Sequence, residues 1–485
     1  MLATADPAKN GQPVRAAPPF DPWQTAQIAA DVMAASAASA EAIDDRQRQR
    51  LAALLRAAAR HSPYFGRLFG SEDPARLSLA DLPVTNKRTL MATFEDWVAA
   101  PANDLRALTQ FVADPSRIAE PFLDRYVVWE SSGSTGDPGV FVQDAAAMAV
   151  YDALEGLRRP ALNFGERWLD PFGLSERQVF IGALGGHFAS TVSIERLRRL
   201  NPLLGHTVRS LSFLLPAAEL VERLVALNPT VIATYPTAAV LLASEQRAGR
   251  LSIRPREIWT GGEDLSPAMR HHVSETFGCP VIESYGASEF LTLATACRES
   301  RLHLNSDWAI LEPVDVHGRL VPDGELSHTT LLTNLANHVQ PVIRYDLGDR
   351  VTMHHGPCAC GSALPVISVE GRDEAPITLG TAKRRSVTLL PLALVTVLEE
   401  EAGLFDFQLV RRGPRDLVLH CGPDVAGADQ ALRRGRDALV AFLAKHGVTG
   451  VRIACRSDTT LVRGRSGKIG RILASEHPGH DQATG

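Results

Sequence analysis

Short apolar runs alternate with longer stretches of helical spacing along most of the chain. Residues 21–60 repeat Ala, Leu and Ile at three- and four-residue intervals, which predicts helix, with the Arg-Gln-Arg-Gln-Arg run at 46–50 on a solvated face. Residues 1–20 have no such period and read as a mobile tail. His61-Ser-Pro-Tyr-Phe and Leu82-Pro-Val-Thr-Asn-Lys read as turns connecting helices. The apolar runs 126–129 and 140–142 predict two strands joined by a Ser/Gly/Thr-rich loop, and helical spacing returns at 148–157. Strand, turn and helix then recur. The run 179–183 enters Gly185-Gly186-His187-Phe188, the run 231–235 enters Pro236 and an Ala/Leu helix, 257–260 enters Gly261-Gly262, and a short strand from 281 precedes Tyr285-Gly286. Alternation of this kind predicts an α/β fold with a largely parallel sheet covered by helices on both faces. Ligands of such sheets gather at the carboxyl ends of the strands, where these turns lie. Beyond residue 371 the segments 389–403, 406–419 and 437–453 read as smaller helix and strand units. The expected organisation is a large N-terminal domain over 21–371 and a small α+β C-terminal domain over 372–485.

Composition narrows the function. The 485 residues are 45% hydrophobic and 22% charged, enough for a large core and a second domain. A formal net charge of -5 with no long basic block argues against nucleic acid as a partner. No run approaches the ~18 apolar residues of a membrane span, and no basic segment leads into an apolar core at the N-terminus, so a cytoplasmic protein without a membrane partner is expected. Six cysteines in so long a chain make no disulfide framework, and in a reducing compartment clustered ones point to metal.

Candidate chemistry lies at four places. The loop Ser131-Ser132-Gly133-Ser134-Thr135-Gly136 concentrates hydroxyls and backbone amides that can surround one anion, although such loops are also plain solvated turns. It is no Walker loop, because no Gly-Lys-Ser/Thr closes it and no helix start follows. The stretch from Val281 through Ser284, Tyr285, Gly286, Ala287 and Ser288 to Glu289 offers a ring for a purine, a hydroxyl for a phosphate and a carboxylate for magnesium; the plainer reading is a strand end with one exposed acid. Asp349 follows a strand and a glycine, suited to ribose hydroxyls, and Lys468 stands on a glycine-flanked loop. His187 and Tyr235 could line an acyl pocket or serve structure alone.

In this order and spacing the four motifs resemble the adenylate-forming superfamily of acyl-CoA synthetases and adenylation domains, over about residues 82–473. Ile258-Trp-Thr-Gly-Gly-Glu-Asp-Leu, Tyr-Gly-Ala-Ser-Glu-Phe, Thr333-Asn-Leu-Ala-Asn and Pro341-Val-Ile-Arg-Tyr-Asp-Leu-Gly-Asp look like its phenylacetate–CoA ligase branch, which includes capsule-biosynthesis relatives. The resemblance implies ATP and magnesium as cofactors and a small mobile C-terminal domain. It implies that 131–136 close over the β- and γ-phosphates, that Gly261, Gly262 and Glu263 border the adenine, and that Tyr285 stacks on it between Ser284 and Gly286. Ser288 and Glu289 would meet the α-phosphate and magnesium. Asp349 would hold the ribose with Arg372 beside it, Gly186, His187, Tyr235 and Ala287 would line the acid pocket, and Lys468 would bridge the α-phosphate and the attacking carboxylate. Two departures stand out: Asp137 occupies the position where the phosphate loop usually carries Lys, and Asp373-Glu374-Ala375-Pro376 replaces the usual hinge sequence.

Cys297, His303 and Cys358-Ala-Cys360 could complete a closed, structural zinc site of three thiolates and one imidazole, or could be unrelated loop residues. Members of the same branch show a similar set. The implied activity is ATP-dependent activation of an acyl or aryl acid, followed by transfer to a thiol, with coenzyme A foremost. Transfer of the acyl group or of AMP to an amine or hydroxyl is the alternative, as is a noncatalytic nucleotide-binding relative. Few residues follow Lys468, so any carrier protein is expected to come separately, and a homodimer is left open.

Overall fold

A computed structural model describes residues 17–71, 73–131, 138–159, 176–201, 204–370, 376–380, 386–404, 407–421, 427–457 and 471–473. The N-terminal helical stretch is two helices, Pro22–Ser36 and Ala40–His61. Ser39 divides them: its extended backbone ends one, and its hydroxyl accepts the Ala42 N–H of the next. The runs flanking the Ser/Gly/Thr loop form an antiparallel pair, Val127–Glu130 with Val140–Gln143, with Trp129 opposite Phe141. Both strands are buried nearly throughout, which explains continuous apolar runs rather than alternation.

Among the described residues the central sheet has nine strands. Val208–Ser212, Gln178–Gly182, Val231–Thr234, Glu257–Thr260 and Val281–Ala287 lie side by side in that order and run parallel. Helices Ala189–Leu200, Ala217–Leu227, Pro236–Arg247 and Pro267–Phe277 make the crossovers between them. The rest of the sheet differs from the parallel expectation. Phe290–Ala296, Leu302–Leu304, Val366–Glu370 and Arg350–His354 extend it antiparallel, because the chain reverses at Ser288-Glu289 with no room for a crossover helix. The strand expected to stop before Tyr285 continues to Ala287, its pairing shifting register between these two residues. A separate antiparallel sheet joins Ala309–Val314, Thr329–Asn334 and Tyr345–Asp346.

Near the C-terminus, Phe407–Gly413 and Asp416–Cys421 form a hairpin flanked in parallel by Ile472–Leu473 and Arg452–Arg456. Helix Ala428–Lys445 starts well before the residue 437 expected from periodicity. One apolar cluster contains Val179, Ile232 and Ile258 of the parallel sheet together with Leu394, Phe407, Leu419 and Phe442. The expected boundary at 371 and 372 lies outside the described residues, as does most of the 1–20 tail. Among the described residues no helix is long and apolar enough to cross a membrane.

Candidate functional site

The parallel strands end together, and the turns leaving them hold most of the predicted residues. Gly262 has φ +79°, and a Cβ there would meet the Tyr235 ring at 3.1 Å. A Cβ on Gly261 would stand 2.9 Å from Ser284 Oγ. The Gly261-Gly262 turn can therefore lie between Tyr235 and Ser284 only because it has no side chains. Glu263 fixes the same turn from behind: its Oε2 accepts the Thr237 N–H at 3.0 Å and the Thr237 hydroxyl at 2.7 Å, at the start of helix Pro236–Arg247. Tyr235 is half-buried, edge-on to Phe213 at 5.6 Å, with its phenol pushed up to about 12, chiefly by burial.

Tyr285 and Asp349, 64 residues apart in sequence, meet here, the tyrosine hydroxyl donating to Asp349 Oδ2 at 2.9 Å. Burial and then Asp349 push the Tyr285 phenol well above its ordinary range. The Ser288-Glu289 turn is held from two sides: Trp129 Nε1 donates to Ser288 O at 2.8 Å, and Asn334 Nδ2 donates to Glu289 O at 2.8 Å. Asn334 also donates to the Tyr151 hydroxyl at 2.9 Å, so two strands and the helix Ala145–Leu157, from three parts of the chain, fix this reversal. Burial raises the Glu289 pKa, while a hydrogen bond from the Tyr345 hydroxyl and the charge of Lys87 oppose the shift. Asp349, a second carboxylate nearby, adds to the rise. A cation bound at Glu289 would offset both its burial and the neighbouring charge of Asp349.

Gly286 has a structural duty. A Cβ there would stand 1.8 Å from the Leu291 carbonyl oxygen, a backbone atom that no rotamer change can move. Gly286→Ala should destabilise the protein by about 3 kcal/mol, the upper range for overpacking, and lower its urea midpoint accordingly. A variant with an unchanged midpoint would show that this strand pairing relaxes freely.

His187 departs from the acid-pocket expectation. Its ring is wholly buried, with Nε2 3.0 Å from the Asp114 carbonyl and an edge contact to Phe111 at 5.4 Å. Burial holds its pKa below the ordinary range. Its own carbonyl accepts the Glu130 N–H at 2.8 Å, so His187 braces the glycine turn and offers no face to a ligand. Gly186 and Ala287 stand at the strand ends as expected; a Cβ on Gly186 would lie 3.2 Å from Glu130 Oε1. Glu400 of the C-terminal part reaches the neighbouring Gly185, and burial, then Glu130, push its carboxyl up to about 7.

Ser131 forms the neck of the Ser/Gly/Thr loop. Its N–H donates to Gly139 O at 2.8 Å, and its hydroxyl oxygen accepts the Gly139 N–H at 2.9 Å. Ser132, Gly133, Ser134, Thr135, Gly136, Arg372 and Lys468 lie outside the described residues.

At the antiparallel edge, the ligand atoms of Cys297, His303, Cys358 and Cys360 all fall within 4.8 Å of one another. Cys297 follows strand Phe290–Ala296, His303 sits in Leu302–Leu304, and both other cysteines come from the loop before Val366–Glu370. The Cys297 and Cys358 sulfurs are 3.9 Å apart. Two thiolates at ~2.3 Å from a tetrahedral zinc would be separated by about 3.8 Å. His303 Nδ1 lies 2.7 Å from Leu364 O, which orients Nε2 toward Cys360 Sγ at 3.3 Å. Donor set, spacing and the oriented imidazole all fit zinc.

Residues 124–327 match the AMP-binding enzyme family. That match includes Ser131, the glycine turns, Tyr285 and Glu289, all brought together at the strand ends. That stretch of the chain carries an AMP-binding enzyme domain. The chain shares its fold with 2-hydroxyisobutyryl-CoA ligase. One structure of that enzyme, in complex with 2-HIB-AMP and CoA, aligns over 91% of each chain at 19% identity and TM-score 0.55. Another, in the postadenylation state, covers 90% of each at 19% identity and TM-score 0.54. Protein CapK of Staphylococcus aureus is 28% identical over 105 residues, a stretch that spans 22% of each protein.

The sequence reading gave no role to Trp129, Asn334, Tyr345 or Lys87. Asn334, Tyr345 and Lys87 each stand within a sequence motif, but the hydrogen bonds of Asn334 cross long sequence separations.

Proposed function

We infer that this protein activates a carboxylic acid with ATP, forming an acyl-adenylate and pyrophosphate, and passes the acyl group to coenzyme A. The carrying observation is the convergence of Asp349 with Tyr285 and Glu289, the last two at the carboxyl end of a parallel strand within the matched family region. In this reading Tyr285 and the Gly261-Gly262 turn receive the adenine, Asp349 the ribose, and Glu289 magnesium. The attack of a carboxylate on the α-phosphorus brings two anions together. Magnesium supplies charge neutralisation when bound, and Lys468 would place a cation at the forming bond. Coenzyme A is preferred as acceptor because a similarly folded ligase has been seen with both an acyl-adenylate and CoA. Acid-dependent exchange of pyrophosphate into ATP across a panel of carboxylic acids tests the activation step without requiring the acceptor. Exchange with at least one acid is expected; none across aliphatic, hydroxy and aromatic acids would favour a noncatalytic nucleotide-binding protein, the reading that Asp137 supports.

The four-ligand cluster is proposed as a structural zinc site, closed to substrate. Purified protein should carry about one equivalent of zinc, and Cys358→Ser should lose the metal and melt at lower temperature, because structural zinc contributes folding energy. Metal-free protein of full thermal stability would refute the site.

A further inference from the structure

Gln143, Tyr151, Asn334, Asn337 and Gln340 form one hydrogen-bonded unit behind the Ser288-Glu289 turn, each no more than 1% exposed. Backbone partners fix which way each amide faces. Asn334 Oδ1 accepts the Ala336 N–H at 2.9 Å, so its Nδ2 makes both donated bonds, to Glu289 O at 2.8 Å and to the Tyr151 hydroxyl at 2.9 Å. Asn337 Oδ1 accepts the N–H groups of Val339 at 2.9 Å and Gln340 at 3.1 Å, and its Nδ2 donates to Val142 O at 2.9 Å and Gln143 Oε1 at 2.8 Å. Gln340 holds the same strand: Nε2 donates to Val140 O at 2.9 Å, and Oε1 accepts the Val142 N–H at 2.7 Å. Asn334 Nδ2 is thus a donor and Gln143 Oε1 an acceptor. The Tyr151 hydroxyl between them has one arrangement, accepting from Asn334 and donating to Gln143 at 3.4 Å.

Tyr151 stands on helix Ala145–Leu157, and its ring also reaches the turn. It packs edge-on to Phe290, the residue after Glu289, at 5.1 Å, and lies 6.2 Å from Trp129, which holds Ser288 O. Burying so many polar groups gains little net stability over apolar packing of the same shape. What a fully satisfied network provides is a single rigid arrangement. The arrangement fixed here is that of strand Val140–Gln143, which follows the Ser131–Gly139 neck, against the Ser288-Glu289 turn. We propose that Tyr151 is a positioning residue for adenylation, setting the Ser288-Glu289 turn through Asn334 and so placing the Glu289 carboxylate. The proposal rests on the adenylation reading for what Glu289 does, and on the hydrogen bonds alone for what holds it.

Tyr151→Phe tests this, because the ring keeps its packing on Trp129 and Phe290 while the linking hydroxyl is lost. In the whole protein without ligands, deuterium uptake by the backbone amides of 284–291 should quicken about tenfold, while strand Val140–Gln143 keeps its protection. The free magnesium giving half-maximal pyrophosphate exchange should rise about tenfold, as on losing an outer partner of a metal ligand, with the KM for ATP at saturating magnesium unchanged. Asn334→Asp, which turns an acceptor toward Glu289 O, should raise the magnesium requirement further. The double variant should be no worse than Asn334→Asp alone, since both changes act along one path. Tyr151→Phe decides by itself where Asn334→Asp fails to fold. Unchanged deuterium uptake at 284–291 in Tyr151→Phe would overturn the proposal. So would a lowered melting temperature with the magnesium requirement in place, which would make the network a feature of the core only, or additive losses in the double variant. Quickened uptake at 284–291, in a protein that supports pyrophosphate exchange with no acid, would uphold Tyr151 as the brace and overturn the adenylation reading instead.

Discussion

Lys468→Ala should abolish acyl-adenylate formation while sparing transfer from a supplied acyl-adenylate to coenzyme A. The two half-reactions place different demands on charge. In the first, a carboxylate must approach an anionic phosphorus, and a cation at the forming bond stabilises the transition state more than the ground state. In the second, the thiol attacks an already activated carbonyl. Losing a charge-assisted contact of this kind costs about 3 kcal/mol or more, on the order of a hundredfold in rate. Single-turnover rates for each half, measured with acid plus ATP and with synthetic acyl-adenylate plus coenzyme A, separate them. Equal impairment of both in a folded variant would assign Lys468 to structure, and no impairment of either would remove it from the chemistry.

Glu289→Gln should lower adenylation on the order of a hundredfold while leaving the melting temperature close to that of the unaltered protein. The amide preserves shape and can still accept from Tyr345, but it cannot neutralise magnesium. The pH dependence carries a second signature. Burial raises the Glu289 pKa, so as pH falls its carboxylate is protonated, and magnesium lost, at higher pH than an ordinary glutamate would require. The magnesium requirement of exchange should therefore steepen toward acid pH, and this component should vanish in Glu289→Gln. Undiminished exchange in the variant would take magnesium away from Glu289.

Local pattern was enough to locate the strands at 231–234 and 257–260, because each is a short apolar run closed by a proline or glycine turn and followed by a helix. The same pattern could not reveal that the sheet turns antiparallel after Ala287. Strand direction there depends on a two-residue reversal clamped by Trp129 and Asn334, partners 159 and 45 residues away. His187 shows the opposite error. Its position after a strand and two glycines matches that of a pocket residue, yet the Asp114 carbonyl, 73 residues earlier, claims the imidazole within the core. Tyr285 and Asp349 each stand out in the sequence as candidate nucleotide residues, whereas their mutual hydrogen bond does not. Cysteine spacing allowed four ligands or none; the pairing of Val366–Glu370 with Leu302–Leu304 is what carries the Cys358 loop to His303.

Adenylation leaves an isotopic trace that no other use of ATP leaves. An acid that supports exchange, labelled with oxygen-18 in its carboxylate, should transfer one labelled oxygen to AMP when coenzyme A completes the reaction, because the bond formed to the α-phosphorus is broken on the acyl side. Mass spectrometry of the nucleotide reads this directly. One oxygen-18 in AMP, with acyl-CoA and pyrophosphate as the other products, is the predicted result. Unlabelled AMP, or formation of ADP and phosphate in place of AMP and pyrophosphate, would contradict it.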